Sequence, residues 1–361
     1  MELTAEALDL KLATPFRISR SVQLVANNVL ARIAHDGLVG LGEAAPTAFY
    51  GERRESVLMA LNHLSEQLGD DPSLIEDILA DCDATLGENA AAKAAIDMAL
   101  YDLLGQRLGI PVYALLGLNP ARTPHTSFTI GIDTPARMAE RAQAAAREFS
   151  ILKIKLGSEA DLEIVRAIRA VTDVTLRVDA NAAWMPKQAL RMIEALVPYN
   201  VEFVEQPVAK GDLEGLRLVY ERSPLPIIAD ESCVRLDDVA KIVGRADGIN
   251  IKLMKCGGIA HALKMIHAAR AHHLRVMLGC MIESSLSITA AAHLSPLVDY
   301  ADLDGALLVE SDPFDGVQVR QGKLMLPDRP GLGVRSRDGA HAGEHEGARR
   351  RTSPHARPRG E

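Results

Sequence analysis

The chain has 361 residues, 48% of them apolar and 24% charged, with a formal net charge of −8. That is enough chain for about two domains and an ordinary buried core, and its acidic balance argues against a nucleic-acid surface, which needs clustered basic residues against phosphates. No stretch reaches the roughly 18 apolar residues of a membrane span, and Met1-Glu-Leu-Thr-Ala-Glu6 lacks the basic-then-apolar order of a signal peptide, so a cytoplasmic protein with a small-molecule partner is expected.

At the N-terminus apolar and polar residues alternate (Leu8, Leu10, Leu12, then Val29, Leu30, Arg32, Ile33), and Asp36-Gly37 supplies the pair a tight hairpin needs. Helical patterns follow over 54–68 and 89–108, the second stopped by Gly109 with Pro111 beyond. Residues 1 to about 120 are therefore expected to form an α+β unit. From Thr126 onward, short apolar or β-branched runs alternate with helical stretches, at 127–132, 151–156, 174–178, 201–204, 226–229, 248–253 and 275–278. Strand then helix, repeated, means a parallel sheet. The polar residues closing successive runs, Lys155, Asp179, Glu205, Asp230 and Lys252, are 24, 26, 25 and 22 residues apart. So regular a period predicts a closed β/α barrel over 121–304. After Val334 the composition turns to Gly, His, Arg and Pro, and residues 335–361 read as a disordered tail whose histidines (His341, His345, His355) have no role. The four dispersed cysteines, Cys82, Cys233, Cys256 and Cys280, read as free thiols.

In a parallel barrel the strand ends converge on one face. Asp179, Glu205 and Asp230 would bring three carboxylates together there, a repulsive set unless a hard divalent ion sits among them, and an oxygen cage of this kind suits Mg2+. Each could instead cap the helix after its strand. Three at successive strand ends, flanked by lysines, favour the metal. Lys153 and Lys155 share one strand face because alternate residues point the same way, and Lys252 closes a strand nearly opposite, with Lys255 as its rival for that place. Paired ammonium groups beside a cation are expected to lower each other's pKa, so that one can act as a base. Trp184 is expected to pack at a helix start, and His125, His272 and His273 at the surface.

Lys153-x-Lys155, Asp179-Ala-Asn181, Glu205-Gln206-Pro207, Asp230-Glu231-Ser232 and Asn250-Ile251-Lys252 together resemble the muconate-lactonizing branch of the enolase superfamily. Within it, residues 15–334 look most like dipeptide epimerases of the L-Ala-D/L-Glu type, through Gly279-Cys-Met-Ile-Glu283 with the helix that follows and through Asp302-Leu-Asp304. The resemblance implies a (β/α)7β TIM-like barrel with an α+β capping domain, completed by residues 305–334. It also implies one Mg2+ on Asp179, Glu205 and Asp230, with Lys155 and Lys252 exchanging the α-proton of the substrate's C-terminal residue through an enediolate. Lys153 tunes Lys155, and Asp302 and Asp304 hold the dipeptide's ammonium. Thr129 would touch the peptide and Glu283 would hydrogen-bond near the seventh strand end. The loops 15–20 and 46–52 match the family's specificity loops, with Arg20 or Arg17 placed to meet a substrate carboxylate. Barrels of this branch commonly form homo-oligomers.

Two rival readings remain. An o-succinylbenzoate synthase, N-acylamino-acid racemase or muconate cycloisomerase keeps the same lysines and carboxylates but has no ammonium to bind. A non-catalytic metabolite-binding barrel would be expected to have lost one of them, and none is lost.

Overall fold

The structure, a computed structural model, describes residues 1–337; most of the 335–361 segment, with its three histidines, lies outside the described residues. Its first described residues are not free, for Arg335–Ser336 pair antiparallel with Phe314–Asp315.

Three antiparallel strands open the chain: β1 (Glu2–Ile18), β2 (Ser21–His35) and β3 (Leu38–Ala44). Asp36 (φ 48) and Gly37 (φ 77) form the two-residue turn between β2 and β3, since both central positions of such a turn need positive φ. The segment 15–20 differs from expectation. The resemblance implied a loop there, but after a register shift between Lys11 and Phe16 the strands resume pairing as far as Ile18 and Ser21. The result is a long β-ribbon projecting toward the barrel.

Helices Arg54–Leu64 and Ala90–Leu108 pack on this sheet, and Ile75–Thr85 packs against the Ala90–Leu108 helix. The alanine-rich last helix lies so close to β3 that a Cβ on Gly42 would stand 1.9 Å from the Ala95 carbonyl oxygen. The middle helix has no counterpart in the sequence reading, although Ile75, Ile78, Leu79 and Cys82 mark its buried face.

Eight parallel strands follow: β4 (Phe128–Ile130), β5 (Ile151–Lys155), β6 (Thr175–Asp179), β7 (Val201–Glu205), β8 (Ile227–Ala229), β9 (Gly248–Ile251), β10 (Arg275–Gly279) and β11 (Tyr300–Asp302). They are hydrogen-bonded in sequence order, and a parallel bridge between Thr126 and Ala301 brings the two ends of the sheet together. Eight strands with seven helical crossovers make the (β/α)7β barrel. Phe203, Ile228, Met277 and Tyr300 fill its interior, with the Arg177 guanidinium 5.2 Å from the Phe203 ring and 4.9 Å from the Tyr300 ring. The chain past Asp304 bonds to both layers: Leu332 N donates to Asp102 Oδ1 (2.7 Å) in the third cap helix, and Thr126 N donates to Gly322 O (2.8 Å). Among the described residues no helix is long and apolar enough to cross a membrane.

Candidate active site

Lys155, Asp179 and Glu205 are the last residues of β5, β6 and β7, and Asp230 and Lys252 directly follow β8 and β9. One end of the barrel therefore collects them all. Chain direction changes sharply there, through Asn181 (φ 46) and Ala182 (φ 63) after β6 and through Gln206 (φ 35) after β7. For residues other than glycine this costs energy and is held in place by neighbours. Gln206 shows how: its Oε1 accepts from Asp230 N (2.9 Å) and Ser232 N (3.0 Å), tying the end of β8 to β7.

The three carboxylates are buried, and one oxygen of each lies within 4.8 Å of the others. Lys153 Nζ stands 3.1 Å from Asp179, 2.7 Å from Glu205 and 2.7 Å from Asp302. Lys155 Nζ lies 2.6 Å from Asp179 and Lys252 Nζ 2.8 Å from Asp230. Glu205 Oε2 pairs with Lys153 yet accepts no hydrogen bond. Converging hard oxygen donors with spare lone pairs fit Mg2+ and would suit a thiol- or imidazole-seeking metal poorly. Burial raises Glu205 to about 7, with Asp179 adding to the push against Lys153. Asp179 moves the other way, because Lys155 and Lys153 outweigh its burial.

Burial works to lower Lys153, but Asp302, Glu205 and Asp179 hold it well above the usual lysine range, and Asp230 does the same for Lys252. Lys255, the rival for the β9 position, is buried behind Asp230, donating to its Oδ1 (2.6 Å) and to the carbonyls of Asp230, Cys233 and Asn250. It braces the carboxylate, while Lys252 lines the cavity.

That cavity is about 590 Å³, roofed by the β1–β2 ribbon and residues 45–50 of the cap. Lys153, Lys155, Lys252, Asp302, Asp304, Thr129 and Arg20 all line it. Asp302 Oδ1 accepts from Ser127 Oγ (2.6 Å) and Asp304 Oδ2 from Thr129 N (2.6 Å). Burial and then Asp302 push Asp304 up to about 7. Arg20 stacks 4.1 Å above Phe49, donates to Asn181 O (3.0 Å) and pairs with Glu231 (2.9 Å). Arg17 is exposed and stands outside the lining. Glu283 does not line the cavity either: its carboxylate is consumed by Met281 N (2.6 Å) and Ser287 Oγ. Trp184 is buried, its Nε1 donating to Asp161 (3.0 Å).

Several residues here had no assigned part in the sequence reading. Asn250 Nδ2 donates to Glu205 Oε1 (2.7 Å), an orientation foreshadowed by its i, i+2 relation to Lys252. Ser127 and Glu231 carry no such signal. Across the cap–barrel seam, Glu43 on β3 accepts from Asn28 Nδ2 (2.7 Å) and from both Ser284 N (3.0 Å) and Ser284 Oγ, while Asn28 also donates to Ile282 O (3.0 Å).

A parallel barrel with a ribbon-bearing cap and a strand-end carboxylate triad defines an enolase-type architecture. Residues 137–340 match the enolase C-terminal domain-like model, and residues 2–117 match the mandelate racemase / muconate lactonizing enzyme N-terminal domain. The chain belongs to the mandelate racemase / muconate lactonizing enzyme family. It is 45% identical to an L-Ala-D/L-Glu epimerase of Bacteroides thetaiotaomicron over 92% of this chain and 88% of that one. A dipeptide epimerase from Enterococcus faecalis, solved with Mg and L-Leu-L-Tyr, is 40% identical, with a TM-score of 0.88 over 92% of this chain and 98% of that one. An N-succinyl Arg/Lys racemase from Bacillus cereus is 30% identical, with a TM-score of 0.89 over 94% and 96% of the two chains.

Proposed function

We propose that this protein epimerises a dipeptide at the α-carbon of its C-terminal residue. The observation that carries the reading is the placement of Lys155 and Lys252: β5 and β9 are the second and sixth of eight strands, so the two amines enter one cavity from opposed walls. A carbon held between them can lose a proton to one and regain it from the other, which inverts the centre. Asp179, Glu205 and Asp230 would hold Mg2+, which supplies a Lewis acid for the charge that develops on the substrate carboxylate.

Lys153, paired with Asp179, Glu205 and Asp302, offsets their mutual repulsion and holds the carboxylates in register beside Lys155. Asp302 and Asp304, both buried at the β11 end, offer the negative charge an α-ammonium needs. Thr129 aims Asp304 through its backbone N–H. Arg20 faces the substrate from the ribbon and is positioned to meet its side chain.

The experiment is proton NMR in deuterium oxide with Mg2+ and pooled L,L-dipeptides. Loss of the C-terminal α-proton signal together with a new diastereomer is expected. Exchange of an N-acylamino acid but of no dipeptide would leave the barrel chemistry standing and overturn the ammonium reading of Asp302 and Asp304.

A further inference from the structure

We propose that Glu231 is a specificity-determining residue: placed behind Arg20, it neutralises the guanidinium that faces the substrate side chain and so restrains the site's preference for acidic residues. The inference rests on the dipeptide reading above. Its basis is a wall between two cavities. Arg20 lines the catalytic cavity, whereas Glu231 lines a neighbouring one bounded by Lys210, Arg235 and Lys255 and absent from the first. The guanidinium thus stands between Glu231 and anything bound over the lysines.

Arg20 is fixed on three sides. Its NH2 pairs with Glu231 Oε1 at 2.9 Å, its NH1 donates to Asn181 O at 3.0 Å, and its face lies 4.1 Å from the Phe49 ring centre. Lys210 approaches the same ring at 4.8 Å, which holds Phe49 between two cations. Glu231 is 2% exposed, and Asn181 Nδ2 reaches its Oε1 at 3.4 Å, while its Oε2 has no hydrogen-bond partner. Arg20 is thus the cation in direct contact with the carboxylate, while Lys252 acts on it through space.

A substrate carboxylate arriving on the cavity side must share a guanidinium already neutralised, and it meets like charge one guanidinium away, which costs affinity. A substrate amide of the same shape suffers neither penalty. Remove the charge behind Arg20 and the acid gains while the amide does not.

The test compares kcat/KM for L-Ala-L-Glu and L-Ala-L-Gln in the Mg2+-loaded enzyme, in wild type, Glu231→Gln, Arg20→Leu and the double variant. The Glu/Gln ratio is expected to rise about tenfold in Glu231→Gln, the size of one charge-pair coupling. In the Arg20→Leu background the same change is expected to raise the ratio by less, because only the direct repulsion between Glu231 and the substrate acid is left to remove. An unchanged ratio in an active Glu231→Gln enzyme, or an equal fall in kcat for both substrates, overturns the inference and makes Glu231 a brace for Asp230. If the wild type exchanges neither dipeptide, the epimerase reading falls first, and this one with it.

Discussion

Asn250→Leu tests whether the carboxylate ring depends on the groups that aim it. Asn250 is fully buried, and its Nδ2 donates to Glu205 Oε1 at 2.7 Å. A hydrogen bond to a charged group is worth about 1.5–3 kcal/mol. Leucine keeps the same branched heavy-atom skeleton, with bulkier methyl groups, but leaves that oxygen without its donor. Glu205 already stands near 7 because of burial and Asp179, so losing a donor that favours the charged form raises it further. Protons then compete harder for the oxygen Mg2+ needs, and affinity for Mg2+ is expected to fall about 10- to 100-fold. Calorimetric titration with Mg2+ near neutral pH measures this, with circular dichroism confirming the fold. The deficit should shrink as pH rises above the Glu205 range, because part of it is proton competition. A folded variant that binds Mg2+ within about twofold of wild type would refute the idea that Asn250 tunes the site.

Three further outcomes are expected. Asp304→Asn removes a charge that touches Thr129 but not Lys153, and should lower dipeptide kcat/KM by about 100-fold while sparing any N-acylamino-acid activity, as measured by kinetics on both substrates. Glu43 is raised from 4.5 to about 7, first by burial and then by Glu283, against the donors Ser284 and Asn28. Its folded form therefore binds protons more tightly than its unfolded form, so its share of stability is present below about pH 4.5 and is lost as pH rises through 7, up to ~3 kcal/mol; in Glu43→Gln, urea midpoints at acid and neutral pH should lie closer together than in wild type. Gly42→Ala drives a methyl into the Ala95 carbonyl and should cost at least about 1–3 kcal/mol, read as a lower melting temperature.

The barrel was legible because two periods coincide in it: short β-branched runs, and an ionisable residue closing each one from Lys155 to Lys252. Strand ends carry their chemistry in sequence order, so neighbours in the ring are neighbours in the period. The cap was harder to read. The helix Ile75–Thr85 follows Asp70, Asp71 and Pro72 and carries only a narrow apolar face. The ribbon tip hides behind Pro15 and a register shift, where alternation breaks and strand looks like loop. The parts played by Glu231 and Ser127, and the bracing part of Lys255, were not legible, because each acts on a partner from a different strand or from the cap. Glu283 does hydrogen-bond near the seventh strand end, but its donors, Met281 and Ser287, lie within four residues of it and turn the carboxylate away from the cavity.

The β1–β2 ribbon divides the labour of the enzyme mechanically. Its far end is woven into the cap sheet by continuous pairing from Glu2 to Lys11, and its near end, Phe16 to Gln23, lies over the lysines, tied to the barrel loops where Ile132 N donates to Arg17 O (2.8 Å) and Arg20 donates to Asn181 O (3.0 Å). Under the proposed function the tip contributes to selection from the cap, alongside Glu231, Asp302 and Asp304 on the barrel, while the reacting lysines stay on the strands. Recharging the tip would therefore also disturb the barrel loops it is bonded to, and a change of diet has to keep the ties of Arg17 and Arg20 or replace them.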